Sequence, residues 1–138
     1  MVDESNMKYW RDAGHVARRA IEAMREEITP GRTWNEIIET AERFIRRNGG
    51  KPAFPTTIAV NDMAAHYTTD HGLTKLESYD EEMILQNGDL VKIDIGVHIN
   101  GHIGDNALTV EVGNLNKHTE QIRASKESRD SAIEMLHP

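Results

Sequence analysis

Cysteine is absent from this chain of 138 residues. Its absence excludes disulfide bonds, metal sites built on thiolates and catalysis by a cysteine nucleophile. Long apolar runs are also lacking, so no membrane-spanning helix is predicted, and the first residues do not form the apolar core of a secretory signal. These absences together are typical of a protein of the reducing cytoplasm, which is the compartment we expect.

Positive charge is the second scarce component. The chain has 16 lysines and arginines against 23 acidic residues, which gives a formal net charge of −7. Because direct binding to nucleic acid usually needs a basic face, nucleic acid is not an expected partner. A membrane is not an expected partner either, because no spanning segment is predicted. Hydrophobic residues make up 38% of the sequence, which at this length is enough for one domain with its own core.

Apolar residues recur at spacings of three and four along two stretches near the amino terminus, which predicts two amphipathic helices. Thr33 and Glu36 form the T-x-x-E pattern of a capping box at the start of the second helix. A third helix is predicted from about Lys117 to Leu136. The apolar stripe of the first helix consists of Met7, Trp10, Ala13, Ala17, Ile21, Met24 and Ile28.

The middle of the chain is rich in β-prone residues. Residues 56–60 predict one short strand, and Ala64 to Thr68 predict another. The polar segment from Thr69 to Glu82 is interpreted as a surface loop. The predicted fold class is therefore α/β of the α+β kind, with two amphipathic helices packed on an antiparallel sheet and a C-terminal helix after it.

The most informative segment is a hairpin centred on Asn100-Gly101, a dipeptide that favours a two-residue turn between strands. That turn would place Asp94 opposite Ala107 and Gly96 opposite Asp105. Asp94 and Asp105 would then lie on one sheet face as diagonal neighbours, about 7–8 Å apart at the backbone. The opposite face would be apolar and would carry Ile93, Ile95, Val97 and Leu108.

Two interpretations of the acidic face remain open on this pattern alone. The aspartates could be solvated, with Lys92 as a simple ion-pair partner on the same face. Alternatively they could bind a shared metal ion, since aspartate is depleted in strands and two on one face need a reason. His98 shares that face and is a further possible ligand. His66 is either a packed structural histidine or a group that handles a proton.

Several motifs together resemble the type II methionine aminopeptidases of archaea and eukaryotes, and the resemblance runs from the first helix to the last. The segments that carry it are Ala53-Phe54-Pro55, Asn61, Ala64-Ala65-His66-Tyr67-Thr68, Lys92-Ile93-Asp94-Ile95-Gly96, the continuation from Val97 to Asp105, and Thr109-Val110. The resemblance implies half of a pita-bread (creatinase/aminopeptidase) fold. It also implies a metallo-aminopeptidase that removes the initiator methionine from nascent proteins, with Met-Xaa amino termini as substrates.

The resemblance further implies a role for four residues. Asp94 would chelate one metal ion, and Asp105 would bridge two divalent ions, which could be manganese, iron, cobalt or zinc. His66 would contact the scissile amide as the catalytic histidine, and Phe54 would line the pocket for the methionine side chain. The mechanism implied is metal-assisted hydrolysis.

The chain departs from the family after Asp105, because none of its later residues matches the further histidine and two glutamates that complete the metal site. By resemblance, residues 1–113 form the first half of the catalytic domain, and residues 114–138 form a linker and the first helix of a second half. We therefore expect a partner, either a second-half chain or a second copy in a homodimer. The alternatives are a prolidase or aminopeptidase P relative and a non-catalytic pita-bread binding module.

Overall fold

The computed structural model describes residues 4–68 and 83–136, so the loop predicted from Thr69 to Glu82 lies outside the described residues. The helices are α1 (Glu4–Glu27), α2 (Trp34–Arg47) and α3 (Thr119–Glu134). The strands are β1 (Lys51–Pro52), β2 (Thr57–Val60), β3 (Leu90–Ile99) and β4 (His102–Glu111). The order of elements confirms the predicted class of helices packed on an antiparallel sheet, with one further helix at the end.

The sheet is organised around β3, which has neighbours on both edges. Strands β1 and β2 pair with one edge and β4 pairs with the other, all antiparallel. The pairs Asp94–Ala107 and Gly96–Asp105 are those predicted from the two-residue turn. At the turn, Asn100 and Gly101 have φ of 50° and 81°. Positive φ at both positions is the requirement of a type I′ turn, which matches the right-handed twist of the strands and fixes the register.

Helices α1 and α2 cover the face of the sheet that carries Ile93, Ile95 and Val97, all of them buried. The buried residues of α1 are Ala13, Val16, Ala17, Ala20, Ile21 and Met24. This stripe is rotated slightly from the predicted one, since Trp10 is 40% exposed and instead meets the ring of His102 edge to face. Helix α2 begins with the predicted capping box, in which Thr33 and Glu36 bind each other's backbone N–H groups.

The prediction of a strand from Ala64 to Thr68 was wrong. Only Tyr67 makes a β-bridge in this segment, to Ile58 of β2. His66 adopts φ of 76°, in the left-handed region that a β-strand does not use. The backbone therefore turns sharply at His66, and the segment crosses β2 at one point instead of pairing along it.

Helix α3 is attached to the sheet by few contacts. None of its residues is buried, although Ile122 at its start lies near the end of β4 and lines a cleft there. The carboxylate of Glu111 accepts hydrogen bonds from the N–H groups of Lys117 and His118, at 3.1 and 2.8 Å. These bonds lower the pKa of Glu111 and fix the chain just before α3 begins. In the described part of the chain, no helix combines the length and apolar character that crossing a bilayer requires.

The close approach of α1 to β4 depends on a missing side chain. A Cβ atom at Gly104 would lie 2.5 Å from the backbone nitrogen of Gly14, closer than packed atoms allow. We expect Gly104→Ala to lower the free energy of unfolding by about 1–3 kcal/mol through overpacking. Gly14→Ala is the matched control, because its Cβ would meet nothing within 4 Å and alanine favours the helix by about 0.5–1 kcal/mol. Urea denaturation measures both changes, and a Gly104→Ala protein as stable as the parent would contradict this packing.

Candidate metal centre

The structure places Asp94 on β3 and Asp105 on β4, on the sheet face away from α1 and α2. Asp94 is half-buried and Asp105 is exposed. One oxygen of Asp94, Oδ1, is buried and has no hydrogen-bond partner among the described residues. A buried carboxylate oxygen without a donor is costly, so the position favours a hydrogen-bond donor or a cation beside it.

The electrostatics of Asp94 indicate that the two carboxyl groups interact. Burial raises the pKa of Asp94 above its ordinary value, and the charge of Asp105 raises it further. The imidazole of His66 acts in the opposite direction and lowers the pKa of Asp94. Two carboxylates that repel each other across a short gap are well placed to share a cation, which would remove the repulsion.

Lys92 does not neutralise this pair. Its ammonium Nζ donates to the backbone carbonyl of Asn61 at 2.6 Å. Among the ion pairs of the described residues, none joins Lys92 to Asp94. The interpretation of Asp94 as one half of a simple ion pair with Lys92 is therefore not supported by the structure.

His66 lies close enough to Asp94 to influence its pKa, and its side chain is exposed. A packed structural histidine would be buried, so the exposure does not favour that interpretation. The left-handed backbone at His66 is uncommon for a residue with a Cβ atom and costs about 1–3 kcal/mol. Such strain is concentrated at functional sites, where the surrounding structure holds the residue in place.

Phe54 lies beside the same pair of strands. Its ring rests against the backbone of Gly96, the residue that pairs with Asp105. A Cβ atom at Gly96 would be 2.2 Å from Cε1 of Phe54, so only glycine admits the ring at this position. Phe54 thus forms an apolar wall next to the acidic pair. A cleft of about 230 Å³ lies on the other side of Asp94, lined in part by Ala64, Ala65 and Ala107.

His98 is also on the acidic face, four residues along β3 from Asp94. Its Nδ1 atom is buried and lacks a hydrogen-bond partner among the described residues. Within residues 4–68 and 83–136, no three side chains of the His, Cys, Asp and Glu types are grouped so as to hold a metal ion. The structure therefore brings Asp94 and Asp105 together without bringing His98 to them as a third ligand.

The carboxylate oxygens of Asp94 and Asp105 are of a type that binds divalent metal ions, but they are too few to complete a site. Carboxylate oxygens are ligands for divalent first-row ions and for magnesium or calcium, and the unpartnered Oδ1 of Asp94 is available for such an ion. Two carboxylates cannot fill the coordination spheres of two ions. The donors among the described residues are therefore too few to complete a metal site by themselves.

The sequence alone did not single out Asn61 beyond its place among the segments that carry the family resemblance. In the structure, its side chain and backbone make four hydrogen bonds, one to Asp89 and three to Leu90 and Lys92 at the start of β3. The available signal was its position, because an asparagine directly after a strand readily adopts positive φ and bonds to nearby backbone.

Comparison with protein families shows that metallopeptidase family M24 matches residues 8–138 of this chain. The methionine aminopeptidase of Thermococcus onnurineus is 39% identical over 124 residues, which are 90% of this chain and 39% of that protein. The methionine aminopeptidase of Archaeoglobus fulgidus is 37% identical over 125 residues, which are 91% of this chain and 39% of that protein. The chain thus spans about two fifths of the length of these curated relatives.

Solved structures also show that this chain is similar to a part of larger proteins. The methionine aminopeptidase of Thermotoga maritima superimposes with a TM-score of 0.83 and 27% identity, covering 99% of this chain and 55% of that protein. The prolidase of Pyrococcus furiosus superimposes with a TM-score of 0.69 and 30% identity, covering 87% of this chain and 33% of that protein. In both cases nearly the whole of this chain matches a part of a larger fold.

Proposed function

This chain belongs to metallopeptidase family M24, and on that basis we propose that it forms the first half of a methionine aminopeptidase. Such an enzyme removes the initiator methionine from nascent proteins by metal-dependent hydrolysis, and its expected compartment is the cytoplasm. The observation that carries the proposal is the convergence of Asp94, Asp105, His66 and Phe54 on one open face of the sheet. The matches to archaeal methionine aminopeptidases support it.

In this proposal, Asp94 and Asp105 hold two divalent ions, of which manganese, iron, cobalt and zinc are the candidates. Asp94 would be a ligand of one ion, and Asp105 would be a ligand shared by both. When bound, the ions supply Lewis acidity toward the scissile carbonyl and toward water. The carboxylates fix where that acidity acts, because both are anchored on paired strands whose register is set by the turn at Asn100 and Gly101.

His66 and Phe54 would act on the substrate itself. The imidazole of His66 is exposed and interacts with Asp94, so it could donate to or accept from the scissile amide of a substrate bound beside Asp94. The Phe54 ring, pressed against Gly96, offers an apolar surface for an unbranched side chain such as that of methionine. The preferred substrate is therefore a peptide with a Met-Xaa amino terminus.

The remaining metal ligands must come from polypeptide beyond the described residues. We propose that a second half of the fold supplies them, corresponding to the length of the relatives that this chain does not span. In this division, residues 1–113 form the first half and residues 114–138 form a linker and the first helix of the second. The exposed faces of Asp105, Ala107 and Ile103 and the uncovered apolar residues of α3 are consistent with a surface that another unit covers.

Prolidase is the second candidate, because the prolidase of P. furiosus shares 30% identity and the same fold over most of this chain. The two functions are separated by assaying Met-Ala-type and Xaa-Pro peptides with the chain combined with the second half of an archaeal methionine aminopeptidase. We expect metal-dependent release of methionine and no cleavage of Xaa-Pro peptides. Preferential cleavage of Xaa-Pro peptides would replace the proposal with prolidase activity, and hydrolysis of neither class would leave a binding module.

The same assays, carried out on the chain without a second half, test whether the chain needs one. We expect the chain by itself to release methionine poorly or not at all, because two carboxylates bind divalent ions weakly. Sedimentation of the isolated chain then reports whether two copies associate across the open face. Robust methionine release by a pure monomer would contradict the proposal that the site is incomplete.

A further inference from the structure

We propose that Asn61 is a positioning residue for His66, acting by fastening the segment that carries the histidine to the start of β3. The inference rests on the proposed function in that it assigns His66 a role at the metal site. Its structural part, that Asn61 determines where His66 lies, stands on the contacts of Asn61 and can be tested without metal or substrate.

Asn61 joins the end of β2 to the start of β3 through its side chain and its backbone. Its Nδ2 donates to Oδ1 of Asp89 and its Oδ1 accepts from the N–H of Leu90, both at 2.9 Å. Its own N–H donates to the carbonyl of Leu90 at 2.8 Å, and its carbonyl accepts from Nζ of Lys92 at 2.6 Å. Every hydrogen-bonding group of the residue except one side-chain N–H therefore has a partner on residues 89–92.

The conformation of Asn61 depends on the residue type. Its φ is 55°, in the left-handed region that asparagine enters more easily than most residues. This conformation turns the chain away from β2 while the side chain stays directed at Asp89 and Leu90. A larger or β-branched residue at this position would meet both a backbone penalty and the loss of two hydrogen bonds.

The segment between Asn61 and His66 has little to hold it apart from its two ends. Residues 61–66 are all exposed. In the part of the chain that the structure describes, the bond from Met63 N–H to the Val60 carbonyl is the one backbone hydrogen bond made by residues 62–66. The far end is fixed at Tyr67, whose carbonyl accepts from the N–H of Ile58 at 2.8 Å and whose ring meets Trp34 edge to face.

His66 thus occupies a strained backbone conformation next to the anchor at Tyr67, and five residues from the anchor at Asn61. Releasing the Asn61 anchor would let the segment relax toward ordinary φ values, because residues 62–66 make one backbone hydrogen bond within the described part of the chain. The imidazole would then leave the neighbourhood of Asp94, while Asp94 and Asp105 would remain in place on the β3–β4 hairpin. The expected consequence is a site that keeps its carboxylates and loses its histidine.

The test uses Asn61→Gly, which permits positive φ and removes both side-chain hydrogen bonds. Asn100→Gly is the matched control, because Asn100 has φ of 50° in an exposed turn. Amide hydrogen exchange is followed at Ile58, which donates to Tyr67, and at Ala53, which donates to the Gly96 carbonyl at 2.9 Å. We expect exchange at Ile58 to be roughly tenfold faster or more in Asn61→Gly, with Ala53 unchanged, since each hydrogen bond makes a modest net contribution.

A second measurement uses Mn²⁺ alone as a paramagnetic probe. In the parent protein we expect Mn²⁺ to broaden the ring protons of His66 together with the backbone amides of Asp94 and Asp105. In Asn61→Gly the two amides should still broaden and the His66 ring should not. The conservative variant Asn61→Asp keeps the acceptor for Leu90 but repels Asp89. It should give a smaller change in the same direction. It replaces Asn61→Gly in the test if that variant does not fold.

The results distinguish a failure of the positioning role of Asn61 from a failure of the proposed metal site. Unchanged exchange at Ile58 in both Asn61 variants, or equal broadening of His66 in the parent and variants, would overturn the positioning role. Failure of Mn²⁺ to broaden Asp94 and Asp105 in the parent would overturn the proposed metal site, and exchange at Ile58 would still decide the role of Asn61. Faster exchange at Ala53 as well as Ile58 would indicate general destabilisation and would also count against the inference.

Discussion

Replacing Asp105 by asparagine is expected to abolish the metal-dependent activity of the chain combined with its second half. In the proposed site Asp105 would be a ligand shared by two ions, and the neutral amide of asparagine would lack the negative charge of that carboxylate. Asp94→Asn should also abolish activity, with Asp105→Asn the costlier change because its carboxylate serves both ions. Metal content by elemental analysis and methionine release from a Met-Ala-type peptide measure the two losses.

Protein stability provides the control for this pair of variants. Because the pKa of Asp94 is raised in the folded protein, ionisation of its carboxyl opposes folding once the pH exceeds the ordinary aspartate value. Asp94→Asn removes this opposition, and Asp105→Asn lessens it by removing the neighbouring charge, so both melting temperatures at neutral pH should equal or exceed that of the parent. Loss of activity in a protein at least as stable would assign the loss to the metal site. Activity near the parent level in either variant would end the metal-site proposal.

Replacing His66 by alanine is expected to lower turnover by roughly 10²–10⁴-fold, the usual contribution of a positioned group that transfers a proton or stabilises the transition state. Metal content should stay constant, because His66 is assigned to the substrate and not to the ions. Stability should also hold, since the side chain is exposed and removing it leaves no cavity.

His98→Ala is the matched control for His66→Ala, because His98 also lies on the acidic face but is not assigned to the reaction. Its turnover should remain within a few-fold of the parent. Unfolding of His66→Ala would instead support the packed-histidine interpretation, and turnover within a few-fold of the parent would remove His66 from the mechanism.

The hairpin that carries the two aspartates could be predicted from the sequence because a single local feature determines it. Asn100 and Gly101 accept positive φ at both turn positions, and the register of every pair from Leu90 to Glu111 follows from that turn. The second helix could be placed for a similar reason, since the capping box is a contact between residues three apart. Both predictions depended on interactions within a short stretch of chain.

The segment around His66 could not be predicted in this way. Its residues are compatible with a strand, and its shape is imposed by distant partners, namely Asp89 and Leu90 at one end and Trp34 at the other. β1 was missed because it contains two residues, one of them proline, and owes its pairing to the edge of β3. The roles of Asp94, Asp105, His66 and Phe54 came from resemblance and remain predictions, whereas their placement on one face is a property of the fold.

The β3–β4 hairpin also has a consequence for the order in which the site assembles during folding. Its two strands are joined by two residues, and hairpins of this kind close in about 1–10 μs. Strand β2 reaches β3 only when Val60 meets Val91, a contact across a much longer stretch of chain with a larger entropy of closure. We therefore expect the two carboxylates to be adjacent early and His66 to arrive last. Local opening in the native protein should reverse this order, releasing the histidine first and the aspartates only when the hairpin itself separates.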